Sequence, residues 1–286
     1  MGTLGKIIRM VRKNTASTSE DAQNEIPVQS RYSHETKEKA GWTSPVYSQS
    51  QPVVIDTATV VENRCIGILP DAPELEFYRV LRTHILQRTR GSGSSGTVIM
   101  VTSAFAGEGK TLTAINLALT FAKDFKQTAL LVDCDLRQQK IHQYLGTRGE
   151  RGLIDYFLKD VPVNELIVWP QIEKLTLISG GKPFYESSEL LGSPKMKELV
   201  AEMKGRYPDR YVFFDAPPIL VGADTLAIAP LVDWILVVVQ SGATQIKDVN
   251  RALELLPRDK ILGLVLNRQS EKVNGYKARQ YSYGGA

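Results

Sequence analysis

The residues best placed to do chemistry are Ala104-Phe105-Ala106-Gly107-Glu108-Gly109-Lys110-Thr111, between the apolar run Val98-Ile99-Met100-Val101 and a helical pattern opening at Leu112. Small residues at Ala106, Gly107 and Gly109 let the backbone curl into a nest of N–H groups aimed at phosphate oxygens, and the following helix adds the positive end of its dipole. Lys110 can reach the β- and γ-phosphates of a bound nucleotide, and the Thr111 hydroxyl can bind Mg²⁺. The stretch reads as a P-loop whose first glycine is replaced by Ala104, with Ala106 through Leu112 as the phosphate-contacting segment. A Gly-rich strand-to-helix turn can exist without a ligand, but the Gly-Lys-Thr ending in a strand–loop–helix setting favours the nucleotide.

Two carboxylate clusters add the means of phosphoryl chemistry. Ala129-Leu130-Leu131-Val132 runs into Asp133-Cys134-Asp135-Leu136-Arg137, and Tyr211-Val212-Phe213-Phe214 runs into Asp215-Ala216-Pro217-Pro218. Continuous apolar runs of this length suit parallel strands covered on both faces, so each acid falls at the carboxyl end of a buried strand. In open α/β sheets that edge binds ligands. Asp215 is positioned as the Walker B residue, holding Mg²⁺ opposite Thr111 directly or through water. Asp133 and Asp135 alternate along a strand end and point to opposite sides unless the chain turns there. One of the two could instead cap the following segment.

The elements that must carry these residues alternate along the chain. Helical patterns cover 73–88, 112–125, 189–207, 225–231 and 245–256, and strand patterns cover 98–101, 129–132, 174–178, 211–214, 234–239 and 261–266. Such alternation predicts right-handed crossovers and an α/β fold built on a doubly wound, mostly parallel sheet. Residues 64–270 form one domain of ordinary size. Residues 1–63, poor in large apolar side chains and rich in Ser, Thr, Gln and charge, are expected to be disordered, as is a short tail over 271–286. Gly91-Ser92-Gly93-Ser94-Ser95-Gly96 has the composition of a flexible connection, native or engineered, and carries no functional reading. Within the N-terminal stretch, Leu4, Ile7, Ile8 and Val11 recur at helical spacing with Lys6, Arg9, Arg12 and Lys13 on the remaining face, the pattern of a short basic amphipathic helix that could rest on anionic lipid.

Composition excludes several classes. A net charge of +4 over 286 residues is too small and too dispersed for a broad nucleic-acid-binding face. No apolar run reaches the roughly 18–20 residues a membrane helix needs, and no secretory signal opens the chain, so a cytoplasmic protein is expected. Cys65 and Cys134, the only cysteines, lack zinc spacing and are expected to be reduced, and the three histidines form no cluster.

Two features outside the nucleotide site remain. Glu76, Arg79 and Arg82 recur every three residues along one broad helix face, with Tyr78, Leu81 and Ile85 as the core-facing stripe. Taken alone, that face is an ordinary solvated one with an internal ion pair. Three of the eleven tyrosines, Tyr276, Tyr281 and Tyr283, cluster in the last eleven residues beyond the final strand.

The P-loop, Leu131-Val132-Asp133-Cys134-Asp135-Leu136-Arg137, Phe213-Phe214-Asp215-Ala216-Pro217-Pro218, the Glu-x-x-Arg-x-x-Arg helix and the tyrosine tail together resemble the bacterial tyrosine autokinases. The resemblance runs from about Glu74 to the end and is nearest to the stand-alone cytoplasmic kinases paired with a membrane protein of exopolysaccharide chain-length control. It implies a P-loop NTPase fold of the partition and division-site ATPase type, using ATP and Mg²⁺. It further implies phosphate contacts from Lys110 and Thr111, an acidic catalytic set of Asp133, Asp135 and Asp215, and Thr111, Asp135 and Asp215 as candidate Mg²⁺ ligands. Asn267 would sit where related ATPases recognise adenine, and Glu76, Arg79 and Arg82 would join subunits into a ring. Tyr276, Tyr281 and Tyr283 would accept the γ-phosphate from neighbouring subunits, since so short a tail is expected to miss its own site. The process served would be exopolysaccharide synthesis, polymerisation or export. Implied partners are the chain itself, a membrane-embedded chain-length determinant that would hold it at the inner face of the membrane, and other tyrosine-phosphorylated enzymes of polysaccharide synthesis, with no nucleic acid. The alternative is a dimeric P-loop switch ATPase of the partition or division-site-selection type. Those proteins carry a second lysine early in the P-loop, where this chain has Phe105.

Overall fold

In β3 (Val98–Ser103), β4 (Thr128–Asp133) and β7 (Arg210–Asp215) every residue is buried, so both faces of these strands must be covered by helices. The structure, a computed structural model, describes residues 8–11, 50–69, 72–91, 96–172, 174–206 and 209–269. Among these, nine strands form one sheet. They are β1 (Ile8–Val11), β2 (Gln51–Pro52), β3, β4, β5 (Val168–Trp169), β6 (Leu175–Ile178), β7, β8 (Trp234–Gln240) and β9 (Ile261–Gln269), in the order β1-β9-β8-β3-β7-β4-β6-β5-β2. Every described pairing is parallel except β5 with β6. After β3 the chain crosses over β7 to reach β4, returns to β7, and later builds β8 and β9 on the other side. The crevice at the carboxyl end of β3 is therefore the topological switch point, where ligands of open α/β sheets bind.

Alternate residues of each strand feed two separate cores. Ile99, Val101, Leu131, Phe213 and Leu236 pack with α2 (Leu75–Gly91) and α3 (Lys110–Ala122), while Val98, Met100, Leu130, Val212 and Phe214 pack on the opposite face. Helix α3 is buried on almost every side, its polar Thr113, Asn116 and Thr120 included. Phe121 on α3 meets the rings of Tyr211 and Phe213 at 4.7 and 5.0 Å. In α2 the stripe of Tyr78, Leu81 and Ile85 is buried as expected.

The helix expected over 189–207 is two. Gly192 ends α7 (Ser187–Leu191), and α8 (Pro194–Arg206) starts afresh with Ser193 Oγ accepting from Met196 N at 3.2 Å and Pro194 in the first position, where its missing N–H costs nothing. The remaining described helices are α1 (Thr57–Glu62), α4 (Ile141–Leu145), α5 (Leu153–Lys159), α6 (Val163–Leu166), α9 (Asp224–Ile228) and α10 (Ile246–Glu254).

The N-terminal region departs from expectation at two places. Residues 50–63 are ordered against the domain: β2 adds to β5, Asp56 caps α1 by accepting from Ala58 N at 3.1 Å, and Val60 is fully buried. Residues 8–11 form a strand parallel to β9, with Ile8 opposite Val265 and Val11 opposite Gln269, in place of the amphipathic helix. Three turns of helix are marginal in water, whereas an open sheet edge offers a row of unpaired amides and carbonyls. The tail tyrosines Tyr276, Tyr281 and Tyr283 lie outside the described residues.

Candidate active site

The P-loop leaves β3 at its central position and enters α3 at Lys110. Its curvature rests on two glycines in the left-handed region, Gly107 at φ 84° and Gly109 at φ 97°. Around Gly107 a Cβ would meet nothing within 4 Å, so the loop is open there and only the positive φ demands glycine. At Gly109 a Cβ would collide with Nδ2 of Asn267. That amide donates to the Glu108 carbonyl at 2.8 Å, while its Oδ1 accepts from Arg268 N at 2.9 Å. Asn267 thus braces the P-loop from β9 with its side-chain amide, a role its sequence position did not disclose. Gly109→Ala combines the collision with a left-handed conformation that costs an ordinary residue about 1–2 kcal/mol. Its nucleotide affinity is expected to fall at least about tenfold with the circular dichroism spectrum unchanged, as isothermal titration with ADP will measure.

Glu108 also braces the loop. Its carboxylate accepts from Phe105 N at 2.7 Å, from Gln240 N at 3.3 Å and from the Thr244 hydroxyl, tying the P-loop to the turn after β8. Its side chain is therefore engaged with protein, and only its backbone remains for phosphate. Phe105 is partly exposed at 39%, so an aromatic ring stands at the site's rim where the switch ATPases carry a second lysine.

The three acids and Lys110 come together at the carboxyl ends of adjacent strands. Asp133 and Asp215 are paired residues of β4 and β7 and both are fully buried. Lys110 Nζ lies 3.0 Å from Asp135 Oδ2 and 3.4 Å from Asp215 Oδ1. The strand-end ambiguity is resolved because β4 stops at Asp133 and the chain turns. The Asp135 carbonyl accepts from Gln138 N and Gln139 N at 3.1 and 2.8 Å, which swings the Asp135 carboxylate onto Lys110. Asp133 takes the capping role, accepting from Asp135 N and Ile141 N, each at 3.2 Å.

The electrostatics follow from burial. Burial alone would lower the Lys110 ammonium, but the Asp215 and Asp135 carboxylates outweigh it and raise its pKa. Burial also raises Asp133 well above 3.8, and the neighbouring Asp215 charge pushes the same way. Asp215 is raised by burial against the opposing pull of Lys110 and Thr111. Two buried acids side by side do not both ionise readily, so the pair titrates as a unit. The cysteines are free thiols, and burial pushes Cys65 up to about 12 and Cys134 well above 9.0, so neither is a nucleophile at neutral pH.

Mg²⁺ and a nucleotide fit this donor set. Asp215 Oδ2 is buried without a hydrogen bond of good geometry, with Thr111 close enough to favour the charged form of Asp215. Mg²⁺ is commonly held by one or two protein oxygens together with substrate phosphates and water. A cage of three or more acids or imidazoles is not found among the described residues, nor does such a site need one.

The residues expected to join subunits divide. Arg79 meets Glu76 at 3.2 Å with both side chains half exposed or more, a pair worth a few tenths of a kcal/mol. Arg82 turns inward, donating to the Thr120 carbonyl at 2.7 Å with Asp124 at 3.8 Å, so much of it already serves the end of α3.

A P-loop at the switch point of a parallel α/β sheet, with Lys110 set among three buried acids, defines a nucleotide-binding phosphohydrolase or phosphotransferase. The AAA domain family matches residues 96–258. The chain is 33% identical to the tyrosine-protein kinase YwqD of Bacillus subtilis over 222 residues, covering 76% of this chain and 88% of that one. It is 32% identical over 216 residues to the succinoglycan biosynthesis transport protein ExoP of Rhizobium meliloti, covering 73% of this chain and 27% of that longer protein. Its fold matches the kinase domain of the Escherichia coli tyrosine kinase ETK with a TM-score of 0.68 at 23% identity, over 87% of this chain and 97% of that one. The chain belongs to the bacterial tyrosine-protein kinase family of P-loop proteins, and is a protein-tyrosine kinase.

Proposed function

We propose that the protein is an autokinase that moves the γ-phosphate of Mg²⁺-ATP onto Tyr276, Tyr281 and Tyr283 of neighbouring subunits and thereby regulates exopolysaccharide synthesis, polymerisation or export. The observation that carries this is Lys110 held at 3.0 and 3.4 Å from Asp135 and Asp215 at the mouth of the P-loop. Phosphoryl transfer passes through a loose transition state, so the protein's work is to position reactants and to neutralise charge on the γ-oxygens. The nest from Ala106 to Leu112 holds the phosphates, and Lys110 leaves its carboxylate partners for them. Bound Mg²⁺, held by Thr111 and Asp215, would add positive charge at the β- and γ-oxygens. Asp135 releases Lys110 and completes the acidic side of the site.

Asp133 accepts the tyrosine proton. A carboxyl with a raised pKa is a better base near neutrality, and two backbone amides fix its orientation. Activity should therefore climb with pH through the folded-state pKa of Asp133. Stability runs the other way. A carboxyl whose pKa is raised by folding contributes stability that is fully present below its ordinary 3.8 and is lost as pH rises through the folded value. Asp133→Asn is expected to flatten both curves, read by initial rates and by thermal melting from pH 4 to 8. A rate limb retained in Asp133→Asn would move the base to another group.

The ring assembly through Glu76, Arg79 and Arg82, the membrane-embedded chain-length determinant, attachment at the inner face of the membrane through it, and other tyrosine-phosphorylated enzymes as targets are part of the same reading. It is supported by the half-exposed Glu76–Arg79 face and by the polysaccharide role in the name of the Rhizobium relative. Among the described residues no helix is long and apolar enough to cross a membrane. Transfer between subunits rests on that contact face rather than on reach. Strand β9 ends at Gln269, two residues beyond the P-loop brace Asn267, and the next seven residues could span about 25 Å. Mixing decides between the routes: a chain ending at Gln269, active but tailless, is expected to phosphorylate full-length Lys110→Met, and absence of phosphotyrosine on that acceptor would refute transfer between subunits.

A further inference from the structure

The segment carrying Asp135 is fastened to the segment carrying Asp215 by a side chain that the nucleotide chemistry leaves unused. Arg137 donates through Nε to Ser187 Oγ at 3.0 Å, and its guanidinium reaches both oxygens of Asp224, at 3.2 Å from Nε to Oδ2 and 3.4 Å from Nη2 to Oδ1. Ser187 Oγ in turn donates to Asp224 Oδ2 at 2.8 Å. The acceptors are buried, Ser187 entirely and the Asp224 side chain to 3% exposure, while Arg137 itself stays 42% exposed. A nearly buried carboxylate with a forked partner holds its position far better than a surface pair would.

Both ends of this clamp lead to the acids. On one side Arg137 is the middle of the turn that begins at Asp135, whose carbonyl accepts from Gln138 N and Gln139 N, and whose neighbour Leu136 accepts from Phe184 N at 2.9 Å. On the other side Asp224 opens α9, and the hydroxyl of the next residue, Thr225, donates to the carbonyl of Pro217, two residues past Asp215. That same carbonyl accepts from Thr102 in β3 at 2.7 Å. A chain of short contacts therefore runs from Asp135 through Arg137, Asp224 and Pro217 to the strand that launches the P-loop.

We propose that Arg137 is a positioning residue for phosphoryl transfer: by anchoring the Asp135–Gln139 turn on the buried Ser187–Asp224 pair, it holds Asp135 opposite Lys110 and in register with Asp215. Arg137 acts through the turn that carries Asp135, its guanidinium being taken up by Ser187 and Asp224. Its effect lies on turnover rather than on ATP binding, since the phosphate nest is built by other residues. The proposal rests on the assignment of Asp135 to the transfer site.

The test uses the full chain and reads autophosphorylation rate against Mg²⁺-ATP concentration. Arg137→Ala leaves Asp224 buried without its cation and can fail to fold, so Arg137→Met/Asp224→Leu, which removes both charges, is measured beside it. Turnover is expected to fall tenfold to a hundredfold, about the cost of an ångström-scale misplacement, with KM for ATP changing less than about twofold. Amide exchange of the peptide spanning 135–139 should quicken in the same variants. Arg137→Lys should recover only part of the rate, because an ammonium cannot fork between Ser187 and Asp224. Wild-type turnover in the folded double variant, with Asp135→Asn inactive, would overturn the proposal, as would a raised KM at unchanged turnover. Wild-type turnover in Asp135→Asn would instead overturn the assignment of Asp135 on which the proposal rests.

Discussion

Lys110→Met and Asp215→Asn are each expected to lower phosphotyrosine formation by at least two to three orders of magnitude while the protein remains folded. Removing one preorganised donor from developing oxyanion charge costs about 10²–10³ in rate, and Lys110 is a full charge placed at the head of α3 in a nearly dry site. The fold is expected to survive because Met and Asn nearly match the volumes of the two buried side chains they replace. Loss of the ammonium leaves Asp135 and Asp215 without their cation, and burial then favours proton uptake by Asp215 rather than unfolding. Asp215→Asn keeps the shape of the side chain but turns one acceptor oxygen into an N–H donor and removes the charge that Mg²⁺ would meet. Phosphotyrosine immunoblotting of each variant with Mg²⁺-ATP, beside a melting curve, measures both halves of the expectation. Persistent phosphotyrosine in both variants would remove this site from the reaction.

Replacing Tyr276, Tyr281 and Tyr283 together by Phe is expected to abolish most of the incorporated phosphate and leave ATP binding unchanged. The three residues follow Gln269, where β9 and the described structure end, and each substitution removes only a hydroxyl. Each phosphate brings about −1.5 to −2 charges at neutral pH. Several on clustered tails would repel, so wild-type protein should shift from a large to a smaller species on incubation with Mg²⁺-ATP, while the triple Phe variant keeps its mass. Mass spectrometry locates the phosphate, and light scattering follows the size. Phosphate remaining chiefly on Tyr211 or other domain tyrosines would refute the tail as target.

The site's chemistry was written in short, local patterns. The Gly-Lys-Thr ending, the two apolar runs closing on Asp133 and Asp215, and the alternation of strand and helix are all set by neighbours a few residues away, so the sheet class and the cluster of Lys110 with three acids were legible from sequence. Local pattern also gave the buried stripe of Tyr78, Leu81 and Ile85, because helical period decides which side chains share a face. The break between α7 and α8 was present too, in Gly192-Ser193-Pro194, but was masked by apolar periodicity that continues across it.

The tertiary structure alone decided which groups hold others. That Asn267 braces Gly109 from β9, that Glu108 turns to Thr244, and that Arg82 bends to the end of α3 all depend on contacts between segments 38 to 159 residues apart. The division of labour between Asp133 and Asp135 needed the turn after β4, since a strand period cannot say where a strand stops. The docking of residues 50–63 through β2 and the buried Val60, and the pairing of Ile8–Val11 with β9, were likewise invisible locally. Such short segments cannot order themselves, and gain structure only from a surface or an open sheet edge that the rest of the chain has already built.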